Sequence, residues 1–296
     1  LNALKIRAST PTLPNKPLPS KLSNATFSIV EIDLIPFAED SDVIKVPLSS
    51  LLKVFKESSL LENENLKSSF ANSKIDFITD GKEKFEKLFN DMENAKHYIN
   101  IEYFIIYDGQ MYSKLIDIVS RKTKEGVVVR VLFDHLGSMS LKTSSVKKLI
   151  KAGAKVVEFK KINWFNPSGI DNWRTHNKIV VIDGDIVYFG GMNFADDYAS
   201  LNPKYPEWID THYRGMGDIA NSFDALFASQ WYIGTKENIY PILLKTTMSF
   251  PESNQFVLHT DSPQDKTPKI FNLIKEEDLR QRNGIELIYI YSFRRW

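Results

Sequence analysis

Cysteine is absent from all 296 residues, so the protein contains neither a disulfide nor a thiolate-bound metal. Net charge is almost absent too. The 38 lysines and arginines against 37 aspartates and glutamates leave +1, with the two signs interspersed. A chain whose main partner is DNA or RNA normally carries a basic balance or a basic face, so nucleic acid is disfavoured as a partner. No apolar run approaches the roughly 18 residues that a membrane-spanning helix needs, and no secretory leader is visible. The five histidines, His97, His135, His176, His212 and His259, form neither HExxH nor a close pair, so the sequence implies no metal and no cofactor. What is present is a globular composition, 43% hydrophobic and 25% charged, in a chain long enough for one large or two ordinary domains.

The first part of the chain is unlike the middle. Before Glu31 it holds Lys5, Arg7, Lys16 and Lys21 and no acid, which suits either a solvated linker or the surface of an anionic membrane. Pro11, Pro14, Pro17 and Pro19 among serines and threonines make residues 1–26 read as a linker. Residues 27–73 form a weakly patterned lead-in, in which Leu51, Leu52, Val54 and Phe55 suggest a short helix. Residue 1 is leucine, so the sequence reads as a fragment or a trimmed product, with any membrane anchor upstream out of view.

From residue 74 strands alternate with helices. Ile75 to Thr79 reads as a strand, and 82–97 as a helix with Phe85, Leu88, Phe89 and Met92 on one face. Then follow a strand at 99–106, a helix at 111–124, a strand at 127–133, a helix at 144–152 stopped by Gly153, and a strand at 155–159. That alternation predicts an α/β domain with a mostly parallel sheet covered on both faces. The loop at 160–175 carries Trp164, Phe165 and Trp173, aromatic residues suited to a packed lid or to a membrane interface.

The most informative segment follows. Residues 176–194 contain His176, Lys178 and Asp183 in the spacing HxKxxxxD, then Gly190, Gly191 and Asn193 as GGxN. Two apolar runs flank Asp183-Gly184, a strong hairpin signal. Residues two apart in a strand share a face, so His176 and Lys178 aim at one spot. A lysine ammonium there neutralises phosphate oxygens, and an imidazole attacks or moves protons. The glycine pair allows close backbone approach. A helix starting near Asn193 would add backbone donors and a side-chain amide for an anion.

This segment resembles the signature of the phospholipase D superfamily. Tyr98–Phe104, Gly126–Asp134, Leu136-Gly137-Ser138 and Trp208–His212 resemble blocks of the bacterial cardiolipin synthases, over residues 74 to 232. The resemblance implies a phospholipase-D-like α/β/α layered domain, with one complete half at 74–250 and a truncated second half at 251–296. It also implies metal-free covalent catalysis. His176 would be the nucleophile or its acid/base counterpart, and Lys178, Gly191 and Asn193 would bind phosphate. Asp183 would organise the motif, and Asp210 would be the acid that hydrogen-bonds the histidine. The role of His212 stays open. The implied reaction joins two phosphatidylglycerols with release of glycerol, at the cytoplasmic face of the cell membrane.

Three departures qualify that expectation. Family members carry two such motifs, whereas these 296 residues contain one; His212-Tyr213-Arg214 is a poor imitation. Residues 285–296 do not continue the expected second-half block. Asn177 stands where relatives usually have arginine. The chain therefore reads as an incomplete half-enzyme that needs a second catalytic half or a homodimer. A single-motif phosphodiesterase or nuclease, and a non-catalytic phosphate- or lipid-binding remnant, are the alternatives.

Overall fold

The structure, a computed structural model, describes residues 26–31, 68–70, 72–161, 174–250 and 255–260. The linker expected over 1–26 lies almost wholly outside these residues. So do the short helix expected near Leu51, the side chains of Trp164, Phe165 and Trp173, and everything after Thr260.

The described strands are β1 (Thr26–Glu31), β2 (Ser68–Phe70), β3 (Ser73–Ile78), β4 (Tyr98–Tyr103), β5 (Val128–Asp134), β6 (Lys155–Phe159), β7 (Lys178–Ile182), β8 (Ile186–Gly190), β9 (His212–Gly217) and β10 (Gln255–Thr260). The described α-helices are α1 (Gly81–Glu93), α2 (Gln110–Lys124), α3 (Thr143–Lys151) and α4 (Asp218–Thr235). Seven strands make the main sheet, in the order β3-β9-β8-β7-β4-β5-β6. A smaller sheet pairs β10 with β1 in parallel and with β2 in antiparallel register.

The expected α/β layering is present. One face of the sheet (Ile99, Ile101, Val129, Val131, Val180 and Ile182) packs against Phe85, Leu88, Leu115 and Leu149 of α1, α2 and α3. The other face (Ile179, Val181, Val187 and Phe189) packs against Ile219 and Phe223 of α4. All six residues of β4 are buried, as expected of a strand covered on both sides. The parallel share of the sheet is smaller than the alternation of elements predicts. Parallel pairing joins β4, β5 and β6 through helical crossovers. The other four pairings are antiparallel. One of these is the hairpin: Asp183 and Gly184 both take positive φ, +53° and +69°, and with Asp185 they reverse the chain between Ile182 and Ile186, where a parallel partner would need a long crossover.

Helix ends are fixed by distant side chains as well as by local ones. Asp80 caps α1 locally, accepting from Glu83 N at 2.9 Å. The first turn of α2 is capped from far along the chain: Asp196 accepts from Gln110 N and Met111 N at 2.8 and 2.9 Å. Asp183 does the same for the start of β4. Its carboxylate accepts from Lys96 N (2.7 Å), His97 N and Tyr98 N (both 2.8 Å). The motif aspartate is thus a clamp that ties the β7–β8 turn to the loop between α1 and β4.

Asp183→Ala removes three charge-assisted hydrogen bonds and puts alanine at positive φ, so a loss of about 3 kcal/mol is expected. Asp183→Asn keeps part of the clamp and tolerates the backbone, so its loss should be about half as large. Urea unfolding followed by circular dichroism measures both; an unchanged midpoint for the alanine variant would remove the clamp from the account.

Candidate active site

The chain approaches β7 in extended form through Thr175, His176 and Asn177, alongside Phe104, whose N–H donates to Asn177 O at 3.0 Å. Alternation then divides the segment. His176 and Lys178 follow the face of Val180 and Ile182, towards α1, while Thr175 and Asn177 turn to the opposite face. The His176 ring packs on Phe104 with centroids 4.8 Å apart. Lys178 Nζ lies 3.1 Å from His176 Nδ1 and 3.4 Å from Nε2, and it also donates to the His176 carbonyl. An ammonium has only donors, so the ring nitrogen it contacts is an acceptor. The two motif side chains do converge.

Strand register brings in a third group. Lys178 pairs with Tyr103 of β4, Ile179 pairs with Phe189 of β8, and Gly190 pairs with His212 of β9. Lys178, Gly190 and His212 therefore occupy one level across three adjacent strands. Gly190 has φ +143°, and a Cβ there would lie 2.7 Å from His212 Cα and 2.9 Å from its Nδ1. A Cβ on Gly191 would lie 2.1 Å from Asp210 Oδ1. The glycine pair thus makes room for residues 210–212, the close approach expected from the sequence.

His212 is fully buried, and neither of its ring nitrogens has a hydrogen-bond partner among the described residues. Burial, with the nearby charges of Lys84 and Lys178, holds its pKa well below the usual histidine range. Lys84, from the first turn of α1, is also fully buried. Its ammonium is 3.2 Å from Tyr103 Oη and 3.8 Å from the centre of the Phe85 ring. Burial lowers its pKa, and the opposing charge of Asp210 only partly offsets that. Two buried lysines, a buried neutral histidine and one nearby carboxylate make a cluster rich in donors and short of negative charge. Such a cluster suits a phosphate ester.

The remaining predicted residues fall into three groups. Asp210 accepts from Thr211 N at 2.7 Å and from Trp208 Nε1 at 3.3 Å, so its carboxylate orders the loop beside Gly191. Asn193 is buried with its amide engaged: Oδ1 accepts from Ile105 N at 3.0 Å and Nδ2 donates to Tyr198 Oη at 2.7 Å. No helix begins at Asn193, contrary to expectation. Phe194 instead bridges to Ile106, and the first helical turn is a short 3-10 segment at Asp196–Ala199. Asp183 lies at the far end of β7 from Lys178, about 16 Å away along an extended strand. The structure does not bring it to the histidine.

Glu102, Asp134 and Lys84 are the residues that sequence reasoning missed. Glu102, fully buried, accepts from Thr175 Oγ1 and, at 3.1 Å, from Asn177 Nδ2, and so grips both neighbours of His176 from the opposite face. Asp134 lies 3.5 Å from Arg174 Nη1 and accepts from Leu136 N at 2.9 Å. Each had a signal. Glu102 and Asp134 are acids in otherwise apolar strands, and Lys84 occupies the apolar register of α1, four residues before Leu88.

Burial pushes the carboxyls of Asp134 and Asp224 up to about 6. Each holds its proton more tightly in the folded chain than in the unfolded one. Their contribution to stability is therefore complete at low pH, falls as pH rises from about 4 to about 6, and levels off above. Asp134→Asn and Asp224→Asn should each flatten part of that fall in urea midpoints taken between pH 4 and 7.5; unchanged slopes would contradict the assignment.

The family described as "Cardiolipin synthase, PLD-like domain" matches residues 88–231. A cardiolipin synthase of Oceanobacillus iheyensis is 40% identical over 168 residues, covering 57% of this chain and 35% of that protein. The major cardiolipin synthase ClsA of Bacillus subtilis is 40% identical over 162 residues, covering 54% and 33%. The chain thus spans about a third of the length of these relatives. The crystal structure of the phospholipase D family member Nuc from Salmonella typhimurium superposes with a TM-score of 0.41 at 15% identity, covering 56% of this chain and 97% of that one, too low a score to bear on the site. Residues 88–231 thus form a PLD-like domain similar to that of the bacterial cardiolipin synthases.

Proposed function

We propose that this domain is one half of a cardiolipin-synthase-type phosphatidyltransferase. The observation that carries the reading is the Lys178 ammonium 3.1 Å from a His176 ring nitrogen, near the buried Lys84 and a His212 whose ring has no partner among the described residues. A ring nitrogen of His176 attacks the phosphorus of phosphatidylglycerol, the bond to the glycerol oxygen breaks, and that oxygen takes a proton from a general acid. A hydroxyl of a second phosphatidylglycerol then attacks the phosphohistidine, returns a proton to the same group and releases the ring. Lys178 neutralises the non-bridging oxygens as charge builds on them. Glu102 and the backbone hydrogen bond from Phe104 keep the His176 segment extended.

The 296 residues contain one HxKxxxxD. In this proposal the proton for the leaving oxygen comes from a second histidine, on another half or on a second copy of the chain. The substrate is a lipid, so the domain works at a membrane surface; among the described residues no helix is long and apolar enough to cross one.

A substrate whose leaving group needs no proton isolates the step assigned to His176. With phosphatidyl-p-nitrophenol in liposomes, one equivalent of nitrophenolate per chain should appear as a burst, with the phosphatidyl group bound to His176. His176→Asn should abolish the burst, and Lys178→Ala should slow it by about 10²- to 10³-fold. Phosphatidylglycerol, whose alkoxide must be protonated, should react about 10²- to 10⁴-fold more slowly in the isolated chain. No burst, or faster nicking of plasmid DNA than reaction with lipid, would overturn the reading.

A further inference from the structure

A second hollow lies at the opposite end of the sheet from His176. It has a volume of about 280 Å³ and is lined by Lys96, His97, Tyr98, Gly126, Val128, Arg130, Ile242 and Leu244. Three of these side chains are basic and none is acidic. Tyr98 and Val128 begin β4 and β5, whereas the catalytic pair abuts Tyr103 at the far end of β4, about 17 Å away.

Its floor is Arg130, only 2% exposed. A guanidinium stays charged in a protein and offers five N–H donors. Here Nη1 donates to Asn100 Oδ1 at 3.2 Å, and Nε has no partner among the described residues. The nearby acids are already engaged. Asp224 accepts from Tyr98 Oη and, at 2.7 Å, from Asn100 Nδ2. Glu237 accepts from Lys155 Nζ and Trp231 Nε1, both at 3.0 Å. Asp183 binds the backbone N–H groups of Lys96, His97 and Tyr98. They attract Arg130 only at a distance, and a buried cation in that position favours an anion from outside.

The rim has a different character. Val128, Ile242 and Leu244 are 39%, 55% and 37% exposed. The wall that carries Leu244 is fixed, because Leu244 N donates to Tyr98 Oη at 3.0 Å and Asn221 Nδ2 donates to Leu244 O at 2.9 Å. A charged floor beneath an apolar mouth selects a molecule with both features. We propose that this hollow binds a small amphiphilic anion, a carboxylate or phosphate monoester with a short hydrocarbon tail, its head towards Arg130, Lys96 and His97 and its tail against Val128, Ile242 and Leu244. The site is separate from the phosphodiester pocket and does not depend on the activity proposed for it.

The test uses the ¹⁵N-labelled full chain carrying Lys178→Ala, so that anions are not drawn to the catalytic end. Butyl phosphate and hexanoate are titrated while the amide signals of Lys96, His97, Gly126 and Val128 are followed. Saturable shifts at these amides in the millimolar range are expected, with none from n-butanol and binding several-fold weaker for inorganic phosphate. Val128→Trp, at an exposed position on the mouth, should abolish the shifts, and Lys96→Ser should weaken binding at least threefold. Thermal melts of both variants report that they fold; Arg130 is left intact because its Nη1 holds Asn100, which in turn donates to Asp224. Non-saturating shifts, shifts confined to the His176 end, equal binding of inorganic phosphate, or binding that survives Val128→Trp would each overturn the proposal.

Discussion

A missing side chain at Gly190 sets the shape of the catalytic end. Between Lys178 on one neighbouring strand and His212 on the other, a Cβ would occupy the space that the His212 backbone and ring now fill. Closing that gap puts an imidazole with no partner among the described residues near the Lys178 ammonium and draws Asp210 against Gly191. The excess of donors gathered here follows from how closely three antiparallel strands approach at this one level. The antiparallel pairing of β7, β8 and β9 sets that level: a tight turn joins the first two, and residues 191–211 lead back to start β9 beside the end of β8.

The three residues of the HxKxxxxD motif do two different jobs at two ends of one strand. His176 and Lys178 face a common space. Asp183, five residues on, holds three backbone N–H groups of the segment leading into β4. Because β4 pairs directly with β7, fixing the start of β4 also fixes the level at which Tyr103 meets Lys178. Asp183 thus supports the pocket through register and not through contact. On the opposite face, Glu102 does a similar service at short range by holding the residues on either side of His176.

Much of this was legible in the sequence because it rests on short-range rules. The strand at 155–159 and the helix at 111–124 follow from periodicity, and the tight hairpin from Asp183-Gly184. The convergence of His176 and Lys178 follows from the period of a strand. What escaped depended on pairing between distant segments. The antiparallel share of the sheet is set by which strand lies beside β4, and periodicity carries no information about neighbours. Asn193 reads as a helix start with a free amide, but Ile105 and Tyr198, brought by other elements, engage it. His212 looked like one histidine among five, and its isolation appears only when β9 is laid against β8. Lys84 and Glu102 were the readable exceptions, since a charge in an apolar register has to be buried with a purpose.

The cap on α2 has a consequence for how the chain acquires its shape during synthesis. Asp196, which closes the first turn of that helix, is encoded 86 residues after Gln110, and the carboxylate that secures the start of β4 follows Lys96 by 87. The early strands and helices therefore leave the ribosome with their backbone donors still solvated, and they lock only when the hairpin and the turn after it arrive. The N-terminal half of the domain waits on its C-terminal half, so a nascent chain halted shortly before residue 183 would hold the right segments with no means of keeping them in register.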